Sequence, residues 1–382
     1  MKTLQIIDNL IPESSEGRRV VTIANELHRN GHGVTVASAF KGEGHAEKLK
    51  HLLEPGVEIL WHRPVFRFSN YYYSPELYSL LSGDDYDVVH AHSYRHYGTY
   101  VGALLRKKRK TPFVLSPYGS AGYGSSRRLM PLYLIQDLVT RNYPLRYADR
   151  ILANTLYEKD ILVDLGADPD KIDVIYREVD TELFRKVDEA TNDTVLYVGR
   201  VTPIKGIELL IEAMGLLRDS FRLVIAGPVE DKGYHRRLRH RIEAYGLEGR
   251  VEFTGEVPYR DIPSYLSRAL VLVLPSLYEN LGGVLLEAQS CECPVIATST
   301  GGTAEVVDDS ITGFLMSSRS SKELAEMINL LADDISLRDQ MGISARRFVE
   351  LNFSVKQYLE RIIHSYQNAL NASISKEVGV SI

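Results

Sequence analysis

Cysteine is almost missing from this chain of 382 residues: Cys291 and Cys293, one residue apart, are all it has. That spacing suits neither a disulfide framework nor a zinc site, so a reducing compartment is expected. The pair reads as core residues at a helix end. No stretch approaches the roughly 20 apolar residues a membrane helix needs. The N-terminus, "MKTLQIIDNLIPESSEG", turns polar too early for a signal peptide, and a cytoplasmic location is expected. No Gly-x-Gly-x-x-Gly follows the first strand of either half, and no Gly-x-x-x-x-Gly-Lys occurs. A nicotinamide dehydrogenase and a P-loop nucleotidase therefore have little support. No residue cluster has metal-ligand spacing, so neither a metal nor another cofactor is expected.

What is present is a regular alternation. Apolar residues make up 44% and charged residues 25%, the balance of a folded chain, and the length suggests two domains. Short β-branched runs recur at 3–7, 33–38, 57–61, 87–92, 112–116, 150–154 and 172–176, with amphipathic stretches between most of them. After a polar segment the rhythm restarts at 195–199, 221–227, 251–255, 270–276 and 294–299. Strands alternating with helices predict an α/β fold: two Rossmann-like, doubly wound parallel-sheet domains. The boundaries expected are 1–178 and 179–352, with an amphipathic helix at 353–370 packing back on the first domain. Residues 371–382 are expected to be a frayed tail.

The net charge of −5 conceals an asymmetry. Between Arg95 and Arg150 there are eleven Lys or Arg and two acids, Asp137 and Asp149, a net of +9. A charge run is usually a solvated helix end. The sharper reading is a cationic face for a phosphorylated substrate or an anionic membrane surface, placing the protein peripherally on the inner leaflet. Nucleic acid is not expected as a partner, because no recognised binding motif accompanies the charge. The aromatic run at 65–78 is expected either to line an acceptor groove or dip into a membrane surface, or to form an aromatic-rich loop packed on its own domain.

The stretch "LYENLGGVLLEAQSCECPVIATSTGG", 277–302, carries two glutamates inside a core-like run. Glu279 falls in the loop after a strand, and Glu287 lies on the helix that starts near Gly282. Gly282 and Gly283 allow a ligand to approach the backbone, and the unpaired first N–H groups of a helix suit a phosphate. The glutamates would accept hydroxyls on either side of that phosphate. Arg200 and Lys205, in "YVGRVTPIKG", fall at the same sheet edge and would neutralise a diphosphate.

These residues resemble the donor-binding half of the GT-B glycosyltransferases, in particular the retaining group called family 4. Its Glu-x7-Glu motif is matched by Glu279 and Glu287, followed by "PVIATSTGGTAE" with Glu305. Gly199–Arg200 and Lys205–Gly206, "IAGP" and "FTGEV" match further landmarks, and "NGHGVTVAS", "DVVHAHS", "ADRILANT" and "VDTELF" extend the resemblance over nearly the whole chain. The resemblance implies two domains facing across a cleft. It implies a nucleotide diphosphate sugar, UDP- or GDP-linked, as donor, with no metal and with retention. Arg200 and Lys205 would hold the phosphates and Glu279 the transferred hexose. The amides of Leu281, Gly282, Gly283 and Val284 would cap the distal phosphate, and Glu287 would hold the ribose. The acceptor, a glycan or a lipid-linked sugar, would be bound by the first domain.

The chain departs from the pattern at four places. The glycine-rich loop reads "SSEGR", keeping Gly17 and Arg18; Tyr118 replaces a histidine that contacts the sugar; the "PNGVD" turn reads "YREVD"; Glu292 replaces a glycine. His92 is a further possible sugar or acceptor contact, with a structural role the more usual one. These departures bear on sugar and acceptor identity. They keep two alternatives in view: a sugar-nucleotide-binding scaffold without activity, and a GT-B sugar-nucleotide epimerase.

Overall fold

The chain divides into two units, Met1–Tyr176 with Leu359–Ile382, and Arg177–Tyr358. The structure, a computed structural model, describes residues 1–68, 71–119, 133, 136–137, 142–187, 191 and 193–378.

The first unit holds β1 (Lys2–Ile6), β2 (Gly33–Ala39), β3 (Glu58–His62), β4 (Phe66–Phe68), β5 (Tyr71–Tyr73), β6 (Val88–His92), β7 (Phe113–Ser116), β8 (Arg150–Ala153) and β9 (Ile172–Val174). Seven of these form one sheet in the order β3-β2-β1-β6-β7-β8-β9, with parallel neighbours throughout. β6 is buried at all five positions, as a central strand covered on both faces must be. Leu4, Ile6, Val89, Phe113 and Ile151 anchor the core.

The second unit holds β10 (Thr194–Val198), β11 (Arg222–Ala226), β12 (Val251–Gly255), β13 (Val271–Leu274), β14 (Val295–Thr298) and β15 (Gly313–Met316). They form a parallel sheet in the order β12-β11-β10-β13-β14-β15. After β10, Ile207, Leu210, Ile211, Met214 and Leu217 are buried as one stripe. Cys291 and Cys293 are free and buried just past a helix end, and burial pushes the Cys293 thiol up to about 12.

The structure adds to or departs from the sequence reading at four places. The aromatic run contains an antiparallel hairpin, β4 with β5, tied to the sheet edge because Asp8 accepts the Tyr72, Tyr97 and Gly98 N–H groups at 3.2, 2.8 and 2.6 Å. β15, "GFLM", is a sixth strand that the sequence reading did not include. The last helix runs Val355–Val378, so the segment expected to fray is helical through residue 378. From Leu359 onward it belongs to the first unit, where the Ser365 hydroxyl donates to Asp173 at 2.6 Å. Glu292 adopts a left-handed backbone, φ 57°, the region in which glycine alone carries no steric penalty.

Candidate functional site

The strand order of the second sheet reverses between β10 and β13, so the loops leaving their carboxyl ends diverge and open a crevice there. Arg200 and Lys205 leave β10, and Glu279 leaves β13. The Lys205 ammonium forms an ion pair with Glu279 Oε1, and the Ser276 hydroxyl donates to the same oxygen at 2.9 Å. The two side chains are 15% and 12% exposed, so their charges act on one another with little screening by water. Nearby, the Tyr197 hydroxyl donates to the Arg200 carbonyl at 2.8 Å. Burial first, and then Glu279, hold that phenol well above its ordinary value. Arg200 itself turns outward, 58% exposed, with Glu230 at 3.1 Å. The structure thus brings Lys205 and Glu279 together and places Arg200 in a separate exposed pair.

The helix Gly283–Ser290 starts beside them. Its N-cap, Gly282, has φ 79° and offers no side-chain cap, so its first amides have no such partner. Leu281 is buried in front of it and Val284 half-buried behind it. Glu287 is one turn further on, 6% exposed. Its Oε1 accepts from Arg177 Nη2 at 2.7 Å and from the Tyr259 hydroxyl at 3.0 Å. A Cβ on Gly283 would stand 2.0 Å from Arg177 Nη1. The Arg177 guanidinium therefore packs against Gly283 on the side where a side chain would stand. Arg177, Tyr259 and Ser276 were missed as site residues. The signal for Arg177 was the altered turn "YREVD", which put a cation where the family has an asparagine.

In the first unit the strand order reverses between β1 and β6. Ser14 caps the helix Ser15–Arg29, accepting the Gly17 N–H at 2.9 Å. A Cβ at Gly17 would lie 1.9 Å from the Ile11 carbonyl oxygen, so close backbone packing within the loop already requires this glycine. Arg18 donates to the Glu13 carbonyl. His92 is fully buried. Burial first, then His90 and Arg19, push its ring well below the ordinary range, and burial pushes His90 down to about 3.

Two neutral rings give the buried hydrogen bonds a direction. His92 Nε2–H donates to Gln5 Oε1 at 3.0 Å, so Nδ1 accepts from the Tyr118 hydroxyl at 2.8 Å. Gln5 Nε2 donates to the Tyr366 oxygen at 3.2 Å, Tyr366 donates to His90 Nδ1 at 2.7 Å, and His90 Nε2–H donates to Ser116 at 2.8 Å. Tyr118 also stacks on His92 and lies 4.7 Å under the Arg19 guanidinium. The tyrosine that replaces the family's histidine is therefore held by a second histidine behind it.

Comparison with known proteins fits this geometry. The model of Glycosyltransferase Family 4 matches residues 17–183, and that of glycosyl transferases group 1 matches 179–348. The chain is similar to the D-inositol 3-phosphate glycosyltransferase of Kribbella flavida, 31% identical over 68% of this chain and 66% of that protein. The enzyme of the same name from Paenarthrobacter aurescens is 32% identical over 59% of this chain and 58% of that one. The chain thus spans less than two thirds of the length of either relative. Its fold is like that of Anabaena Alr3699/HepE, solved in complex with UDP and glucose, with a TM-score of 0.79 at 22% identity over 96% of this chain and 99% of that one. Two family models meet end to end across both units, over two parallel sheets of the GT-B kind: the chain belongs to the group 1, family 4 glycosyltransferases.

Proposed function

We propose that this glycosyltransferase moves a hexosyl group from a nucleotide diphosphate sugar to an acceptor hydroxyl, with retention and without a metal. The observation that carries the reading is the Lys205–Glu279 pair beside the uncapped start of the Gly283–Ser290 helix. Lys205 and the helix amides neutralise the departing diphosphate, with Arg200 joining once it leaves Glu230. Glu279 orients the hexose and Glu287 the ribose. The bond from the anomeric carbon to phosphate oxygen breaks. The acceptor oxygen bonds to that carbon on the same face, and its proton passes to the departing phosphate. The protein's contribution is charge stabilisation and positioning.

The test is a thermal-shift panel of UDP, GDP, ADP and dTDP sugars on the wild type and on Glu287→Ala. UDP-glucose heads it, because Anabaena HepE was solved with UDP and glucose. A ligand at a hundred times its dissociation constant adds about 2.7 kcal/mol to the native state. One nucleotide series is expected to stabilise the wild type and to lose that effect in the variant. No response to any sugar nucleotide would overturn the reading, and binding without transfer would leave a scaffold. With the donor known, product anomer analysis and a chelator control test retention and metal independence. Lipid-linked sugars, glycans and the relatives' inositol 3-phosphate make up the acceptor panel.

A lipid-linked acceptor would bring the protein to an anionic membrane surface. Support comes from a pocket of about 580 Å³ in the first unit, lined by Arg106, Lys107, Lys110, Arg146 and Lys171 with one acid, Asp149. Arg127, Arg128 and Arg141, which belong to the same basic segment, lie outside the described residues. Sedimentation with anionic vesicles and not with neutral ones is expected; equal partitioning to both would end this part of the proposal.

A further inference from the structure

The described hydrogen bonds to Glu287 all end on one oxygen. Arg177 and Tyr259 both donate to Oε1, at 2.7 and 3.0 Å, and Oε2 takes none from the described residues. Glu287 lies four residues beyond Gly283, hence one turn on and on the same helix face, with its side chain leaning back toward the helix start. Arg177 lies across that face. Its Nη1 and Cζ would be 2.0 and 2.8 Å from a Cβ at Gly283, so the absence of a side chain there is what admits the guanidinium. The Arg177 and Glu287 side chains are 12% and 7% exposed. Tyr259 is braced in turn by the Phe184 ring, edge on, at 5.1 Å between centroids.

We propose that Arg177 is a positioning residue of the donor site: with Tyr259 it fixes Glu287 through Oε1 and leaves Oε2 as the acceptor for ribose hydroxyls. The inference rests on the donor reading above, in which Glu287 meets the ribose. A glutamate held on the helix by its own torsions alone would turn freely about three bonds. One guanidinium N–H and a phenol on the same oxygen restrict how the carboxylate can turn. The arrangement also keeps the carboxylate charge compensated. An uncompensated carboxylate this close to a diphosphate would repel it, whereas the pair with Arg177 presents the donor with no net charge. The same logic recurs at Glu279, whose Oε1 takes Lys205 and Ser276. Both glutamates of the motif are thus set by a cation and a hydroxyl on one oxygen.

The measurement is the ratio of affinities for UDP and 2′-deoxy-UDP, with GDP and 2′-deoxy-GDP in parallel, by calorimetry on the full chain. A charged hydrogen bond to the 2′-hydroxyl is expected to give the wild type a preference of about ten- to a hundredfold for the ribonucleotide. Glu287→Ala should bring that ratio near one. Arg177→Ala should do the same with the glutamate still present, Arg177→Lys should restore part of it, and Tyr259→Phe should lower it by a smaller factor. A purely structural arginine would weaken both nucleotides equally and leave the ratio intact. A wild-type preference that Glu287→Ala abolishes and Arg177→Ala preserves overturns this inference alone. A wild type with no preference overturns the ribose reading, and the inference falls with it. Should Arg177→Ala fail to fold, the Arg177→Lys and Tyr259→Phe ratios decide, and wild-type ratios in both would be fatal.

Discussion

Lys205→Ala is expected to lower kcat by about 10²–10³-fold, the usual cost of removing one donor aimed at the charge that develops in a transition state. In the mechanism proposed above, negative charge grows on a departing diphosphate as the anomeric bond breaks, and the lysine ammonium is the more enclosed of the two cations proposed to meet it. The loss has a second component. Without Lys205, Glu279 keeps, among the described residues, the Ser276 hydroxyl on its carboxylate and would face the proposed diphosphate as an uncompensated negative charge. Lys205→Arg should recover part of the rate, because it restores charge but not the compact point contact. Donor-saturated single-turnover rates provide the measurement. A raised KM with unchanged kcat would show that Lys205 binds ground state and transition state equally, and would remove it from the chemistry.

Arg106→Ala should destabilise the first unit by about 3–5 kcal/mol, the cost of stranding a buried charge. Arg106 meets Asp149 through two nitrogens, Nε at 2.7 Å and Nη2 at 3.0 Å, and Asp149 is 1% exposed. The same guanidinium donates to the Lys110 carbonyl and to Ser373 on the last helix, at 2.8 and 3.2 Å. Asp149 also accepts the Phe113 N–H at 3.0 Å, so its desolvated charge cannot turn away. For a unit of this size the melting temperature should fall by roughly 10 °C. The neighbouring Lys107 lies over the Tyr143 and Tyr147 rings, and Lys107→Ala should cost only about 0.5–1 kcal/mol. Equal effects at the two positions in a denaturant titration would refute the distinction.

That contrast shows where reading the residues in order stops. "RKKRK" looks like one solvated basic run, yet its first member is a buried structural cation and its fourth pairs with Asp85 at the surface. Asp137 and Asp149, the two acids of the basic segment, are spent on buried arginines, Arg95 and Arg106. Charge counts along a chain cannot separate these cases, because burial is a property of the packed sheet.

Local pattern was sufficient for the parallel α/β architecture, since strand and helix periods and the turns between them are written within about ten residues of one another. It was sufficient also to place Glu279, Lys205 and the Gly283–Ser290 helix at one edge, because in a parallel sheet every strand's carboxyl end faces the same way. The partners of those residues were a different matter. Lys205 and Glu279 are 74 positions apart, Arg177 and Glu287 are 110, and His90 and Tyr366 are 276. Which oxygen of a glutamate is occupied, whether a histidine meets ligand or core, and what fills the space over a glycine depend on side chains brought together from distant segments. Hydrogen bonds need their atoms within about 3 Å, and only the folded chain sets distances on that scale.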